Sequence, residues 1–103
     1  MPGLIVQKYG GTSVGDPDRI KAVADHIART ARAGNQVIVA VSAMGKTTDD
    51  LIRLAEAVAS EPGGREMDML LTAGERISIA LVSMAVNDLG IKAQSFKIGR
   101  AHV

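Results

Sequence analysis

An α/β architecture on a mostly parallel sheet follows from three features of this 103-residue chain. A short apolar segment, Leu4-Ile5-Val6, and a continuous β-branched run, Val37-Ile38-Val39-Ala40-Val41, read as buried strands. Between them lies one stretch of helical periodicity. A strand, a helix and a second buried strand make a βαβ unit, whose crossover is right-handed by rule. Ligands of such sheets bind at the carboxyl ends of the strands, where the chain places its two conspicuous loops, residues 8–15 and 42–48.

The first strand runs into Val6-Gln7-Lys8-Tyr9-Gly10-Gly11-Thr12-Ser13-Val14-Gly15. A lysine, a glycine pair and two hydroxyls after a strand have the chemistry of a phosphate cradle. Glycine admits positive φ and close backbone approach, so amide N–H groups can converge on phosphate oxygens while lysine adds a mobile charge. An ordinary strand-to-helix turn satisfies the same residues, and the loop alone leaves both readings open.

Asp16-Pro17-Asp18 then carries three helix-start signals: an N-cap acceptor, a proline fit for the first turn and a second carboxylate for the dipole. Ile20, Val23, Ala24, Ile27 and Ala31 recur at helical spacing and Gly34-Asn35 supplies the stop, so a helix is expected over 17–33. The run 37–41 is expected to be covered on both faces. Thr48-Asp49-Asp50 opens a second helix with Leu51, Ile52, Leu54, Ala55 and Val58 on its apolar side, ended by Pro62-Gly63-Gly64. Residues 65–89 are helical in pattern, with a break or kink expected at Thr72-Ala73-Gly74. Beyond it Ile77, Ala80, Leu81, Met84, Ala85 and Leu89 form the expected buried stripe. Asn87-Asp88-Leu89-Gly90 closes the helix, and Ile91–Phe96 reads as a third strand.

Composition narrows the function. The chain has no cysteine, which removes thiol nucleophiles and thiolate metal sites, and its two histidines, His26 and His102, lie far apart; no metal centre is expected. Aromatic residues make up 2%, so the core is aliphatic and stacking on bases is disfavoured. A net charge of +1 without a basic block gives no reason to expect nucleic acid. No membrane association is expected either, because the longest unbroken apolar run, Val37–Val41, is too short to span a bilayer and the N-terminus lacks a signal-peptide layout. A cytoplasmic location is the default.

Two further segments bear on chemistry. Gly45-Lys46-Thr47 is the end of a Walker A phosphate loop, yet the glycine that pattern needs is Ala40, which keeps a P-loop nucleotide-binding module only as the first rival. Glu75, beside Gly74, either receives a ligand's ammonium group at an interrupted helix or forms a solvated pair with Arg76. Met67, Met69, Met84 and Leu70-Leu71 read as core or interface filler. Asp49-Asp50 begins a helix or helps to hold magnesium.

Lys8-Tyr9-Gly10-Gly11-Thr12-Ser13 closely resembles the aspartokinase signature, Val41-Ser42-Ala43-Met44-Gly45-Lys46-Thr47-Thr48-Asp49 that family's second loop, and Leu71-Thr72-Ala73-Gly74-Glu75-Arg76 its third landmark. Three motifs in order over residues 4–96 are far more specific than any one. The resemblance implies a partial three-layer α/β/α amino-acid kinase fold, ATP with Mg2+, and transfer of the γ-phosphoryl group to the side-chain carboxylate of L-aspartate. The product, 4-phospho-L-aspartate, opens lysine, threonine and methionine biosynthesis. Carried over by position, Lys8 is catalytic and binds ATP together with Tyr9, Gly10, Gly11 and Ser42, while Thr47, Thr48 and Glu75 surround aspartate. The full-length form is expected to be a homo-oligomer.

Residues 1–96 are thus expected to be the N-terminal part of a kinase domain, inactive alone. The family continues with a Thr-Gly-Ser-Gln-like segment where this chain has Lys97-Ile98-Gly99-Arg100-Ala101-His102-Val103, so 97–103 are expected to be a foreign tail. Two alternatives stand beside aspartate: another acceptor in the same kinase family (glutamate, acetylglutamate, carbamate or a nucleoside monophosphate), and a module that binds ATP without turnover.

Overall fold

The computed structural model describes residues 3–95. Strand β1 (Leu4–Tyr9) pairs in parallel with β2 (Gln36–Val41), with Val6 opposite Ile38, Lys8 opposite Ala40 and Tyr9 opposite Val41. Both strands are longer than their apolar runs, because Asn35 ties the pair at one end and a loop bond extends it at the other. The Asn35 side chain accepts from the Gly3 N–H at 3.2 Å and donates to the Thr30 carbonyl at 2.9 Å. The Ser42 N–H donates to the Tyr9 carbonyl at 3.1 Å.

Helix α1 (Pro17–Arg32) forms the crossover from β1 to β2. Its start is as expected: the Asp16 carboxylate accepts from the Arg19 N–H at 2.8 Å, with Pro17 in the first turn. Removing that cap in Asp16→Ala is expected to lower stability by about 1 kcal/mol, read from urea unfolding. Gly34, at φ +98°, turns the chain out of the helix towards β2, a conformation that favours glycine.

The core lies between the helices and one face of the sheet. Ile20, Val23, Ala24 and Ile27 of α1 join Val14, Val82 and Val86, and Tyr9, Val37, Val39 and Val41 pack against them. The expectation that the run 37–41 is covered on both faces fails among the described residues, and the buried strand expected at 4–6 shares the open face. Because side chains alternate along a strand, Leu4, Val6, Lys8, Ile38 and Ala40 share the other face, where Val6 is 67% and Ile38 54% exposed. The parallel α/β architecture stands, with its helical layer on a single face.

Helix α2 (Gly45–Val58) starts three residues before the expected Thr48, so Thr47 and Thr48 belong to its first turn, and Leu54 and Val58 are exposed. Helix α3 (Gly64–Asp88) is continuous. The expected break at Thr72-Ala73-Gly74 is absent: the Thr72 hydroxyl donates to the Asp68 carbonyl at 2.7 Å along the helix, and Gly74 is buried in a contact that offsets its poor propensity. The buried face is corrected in part, for Ala85 and Leu89 pack against the core as expected. Gly74, Ser78, Val82 and Val86 face inward, whereas Ile77 (46%), Leu81 and Met84 (64%) are exposed. Close packing on α1 and β2 selects the face with small side chains over the bulkier stripe. By length and composition alone α3 could also cross a membrane, a test that core helices pass too, and here its inward face packs on α1 and β2.

The third strand expected over 91–96 is not formed by residues 91–95, and Phe96 lies outside the described residues. That segment instead folds back on the end of α3: the Ile91 N–H donates to the Val86 carbonyl at 3.4 Å and the Ala93 N–H to Asn87 Oδ1 at 2.7 Å. Ile91 and Ala93 pack against the core from there, and the Arg32 guanidinium donates to the Leu89 carbonyl. His102 and the tail 97–103 also lie outside the described residues.

Candidate functional site

Three segments far apart in sequence converge on Ala43. Gly11 begins the 3-10 turn Gly11–Val14 after β1, and a Cβ built on it would lie 2.7 Å from the Ala43 carbonyl oxygen and 3.1 Å from the Gly45 nitrogen. A Cβ built on Gly74 of α3 would lie 3.3 Å from the Ala43 methyl, 3.4 Å from Leu51 Cδ1 and 3.8 Å from Thr47 Cγ2. Ala43 therefore faces the glycine turn with its carbonyl and α3 with its methyl. Gly11 serves close approach, and neither Gly10 nor Gly11 has a positive φ. That corrects the conformational reason expected for the pair. Gly10 has open space where a Cβ would stand, which leaves its backbone approachable from outside.

The expected site residues lie on β1, on the segment from Ser42 into α2, and on α3. Lys8 is exposed at the carboxyl end of β1, on the uncovered face beside Ala40, and makes no ion pair among the described residues. Tyr9 points the opposite way, into the helical side. Its hydroxyl donates to Gln7 Oε1 at 2.9 Å, Gln7 Nε2 donates to Thr30 Oγ1 at 2.9 Å, and its ring meets His26 edge-on at 6.4 Å. Burial raises the Tyr9 phenol above its ordinary pKa. The Tyr9 side chain thus lies on the α1 side, and its carbonyl accepts from the Ser42 N–H.

Ser42 is half-buried and tied to the end of β1 through its N–H. The Thr47 methyl faces Gly74, and the Thr48 hydroxyl donates to the Met44 carbonyl at 3.4 Å. Glu75 is exposed on α3 next to Gly74 and makes no ion pair among the described residues. Its neighbourhood is a continuous helix, so no freed N–H groups accompany it.

The start of α2 is electrostatically unusual. Met44 offers no side-chain cap, the first turn has no acidic residue, and Lys46 sits there instead. The first N–H groups of a helix carry partial positive charge and lack intrahelical acceptors, so a cation beside them favours a bound anion. Phosphate groups fit this end of the sheet. Asp50 pairs with Arg53, and among the described residues no group of three or more acidic or histidine side chains lies together. Mg2+ that keeps waters and phosphate oxygens as ligands needs no such cage.

The Walker A alternative loses its geometry. Ala40 lies within β2, paired with Lys8, and only Ser42, Ala43 and Met44 separate β2 from α2, too few to wrap a phosphate.

The sequence profile described as the amino acid kinase family matches residues 3–103, nearly the whole chain and the segment 97–103 included. The chain belongs to the amino acid kinase family. Within that family it is 61% identical over 100 residues to an aspartokinase of Mycolicibacterium smegmatis, covering 97% of this chain and 24% of the relative. An aspartokinase of Corynebacterium glutamicum is 59% identical over the same length, with the same coverage of both chains. The crystal structure of aspartate kinase from Synechocystis superposes with a TM-score of 0.86 at 55% identity, over 90% of this chain and 16% of that one. The resemblance to aspartokinases therefore holds in sequence and in fold. The chain spans about a quarter of the length of the curated relatives it matches.

Sequence reasoning missed Ala43 and Gly74 as packing residues. Gly74 carried a signal, a lone glycine inside a helical pattern, which marks a close approach as readily as a break. Ala43 carried none.

Proposed function

We propose that this chain is the phosphate-binding part of an aspartate kinase, within which residues 1–96 form part of the kinase domain. The observation that carries the reading is the convergence of the glycine turn, the 42–48 segment and the Gly74-Glu75 segment at Ala43, in a chain similar to aspartokinases over nearly its whole length.

In this reading the Gly10 and Gly11 amides and the start of α2 cradle the ATP phosphates, with Ser42 at the nucleotide end. Lys8 neutralises charge that develops on the transferring phosphoryl group, and Mg2+ arriving with the nucleotide would supply further positive charge there. Glu75 takes the ammonium group of L-aspartate, and Thr47 and Thr48 hold its carboxylates. The substrate's own side-chain carboxylate oxygen attacks the γ-phosphorus as the bond to the ADP oxygen breaks, so the chain supplies no nucleophile. The product is 4-phospho-L-aspartate, the first intermediate towards lysine, threonine and methionine. A cytoplasmic, homo-oligomeric enzyme accords with this activity.

The test is a chimaera in which this chain replaces the matching 100 residues of the Mycolicibacterium smegmatis aspartokinase. Aspartate-dependent ADP formation is expected from the chimaera and none from the 103 residues alone. An inactive, folded chimaera overturns the reading. A chimaera that prefers another acceptor in a substrate panel moves the chain to a different branch of the family, and turnover by the chain alone refutes its expected inactivity.

A further inference from the structure

The glycine turn is held at its two ends, with Gly11 packed against Ala43 and Gly45 and Val14 packed in the core. Between its end and α1 lies an open cleft of about 280 Å3 lined by Tyr9, Ser13, Arg19, Ala22, Val23 and His26. Val14 anchors the far end of the turn in the core, fully buried, while Thr12 is exposed. Within the turn, the Ser13 N–H donates to the Gly10 carbonyl at 3.1 Å and the Gly15 N–H to the Thr12 carbonyl at 3.4 Å. Both bonds are local to the turn.

Among the described residues, Arg19 supplies the side-chain hydrogen bond from α1 to the turn, beside the packing of Val14. Arg19 Nη1 donates to the Thr12 carbonyl at 2.9 Å, across the mouth of the cleft. The same guanidinium is held by Asp16, whose Oδ2 lies 3.5 Å from Arg19 Nε, while Asp16 Oδ1 accepts from the Arg19 N–H at 2.8 Å. Asp16 thereby caps α1 and aims the Arg19 side chain at once. The planar fork of arginine can make both contacts, and a lysine ammonium on a flexible stem holds them less firmly.

We propose that Arg19 is a positioning residue that fixes the Gly10–Thr12 backbone against α1 and so sets the geometry of the ATP phosphates. This rests on the phosphate-binding reading above. Arg19 does not touch the reacting groups. It acts through the Thr12 carbonyl, and its contribution appears in nucleotide binding because backbone amides placed about 1 Å off lose much of their effect on the phosphates. Arg19 stands on α1, whereas Thr47 and Thr48 stand on α2 and Glu75 on α3, so KM for aspartate is the control that this proposal leaves unmoved.

The experiment compares Arg19→Ala and Arg19→Lys in the chimaera. Arg19→Ala is expected to raise KM for MgATP about tenfold with KM for aspartate unchanged, and Arg19→Lys to recover part of that loss. Asp16→Asn, which keeps an N-cap acceptor but loses the charge that aims the guanidinium, is expected to shift KM for MgATP in the same direction with little change in Tm. A general loss of structure would instead lower Tm and the active fraction without separating the two KM values, and that pattern overturns the proposal. So does an Arg19→Ala enzyme with an unchanged KM for MgATP. A chimaera inactive with Arg19 in place overturns the phosphate-binding reading itself and this proposal with it, so the two failures are told apart.

Discussion

Lys8→Ala in the chimaera is expected to lower kcat by about 10²–10³-fold while KM for aspartate changes little. Phosphoryl transfer asks the protein for position and charge, because the phosphoryl oxygens grow more demanding of positive charge as the bond to ADP loosens. Lys8 is the cation that alternation along β1 places on the uncovered face, while its neighbours Gln7 and Tyr9 are held on the helical side by Thr30 and His26. The strand end that presents Lys8 is thereby clamped from behind, and no carboxylate among the described residues neutralises it. A charge held ready and unpaired acts mainly on the transition state. Steady-state kinetics with aspartate and MgATP varied separately make the check; an unchanged kcat removes Lys8 from catalysis, and an equal loss in KM for MgATP makes it a ground-state binding residue.

The elements were legible where local chemistry decides them. Asp16-Pro17 starts α1, Gly34-Asn35 ends it, and the β-branched run 37–41 pairs with the segment before the glycines as a parallel strand. Tertiary contact was not legible. The sequence cannot distinguish a glycine that breaks a helix from one that lets a helix touch its neighbour, and Gly74 is the second kind. The same ambiguity misplaced the inner face of α3, where Gly74, Ser78, Val82 and Val86 allow closer packing than Ile77, Leu81 and Met84. The apolar character of Leu4, Val6 and Ile38 suits a strand buried on both faces, an environment the described residues do not supply. Within the candidate site, the identities of Lys8, Gly10, Gly11 and Glu75 were visible in the motifs. The glycine turn at Gly11 and α3 at Gly74 meet at Ala43, a residue with no chemical signature.

Gly11→Ala carries the second large expected effect, and its cause is steric. The added methyl would stand 2.7 Å from the Ala43 carbonyl oxygen and 3.1 Å from the Gly45 nitrogen. Both are backbone atoms, so no side-chain rotation relieves the clash, and the glycine turn must move away from the loop that opens α2. Such overpacking costs about 1–3 kcal/mol. It also separates the two backbone elements that cradle the phosphates, so kcat/KM for MgATP in the chimaera is expected to fall about 10²-fold. Gly10→Ala is the informative comparison: its Cβ meets open space and its extended backbone, φ −79° and ψ 175°, suits any residue, so Tm is expected to stay unchanged. A drop in Tm for Gly11→Ala but not for Gly10→Ala locates the requirement at the junction with Ala43. Equal drops in both would mean that chain flexibility, and not the close approach, is what the glycine pair supplies.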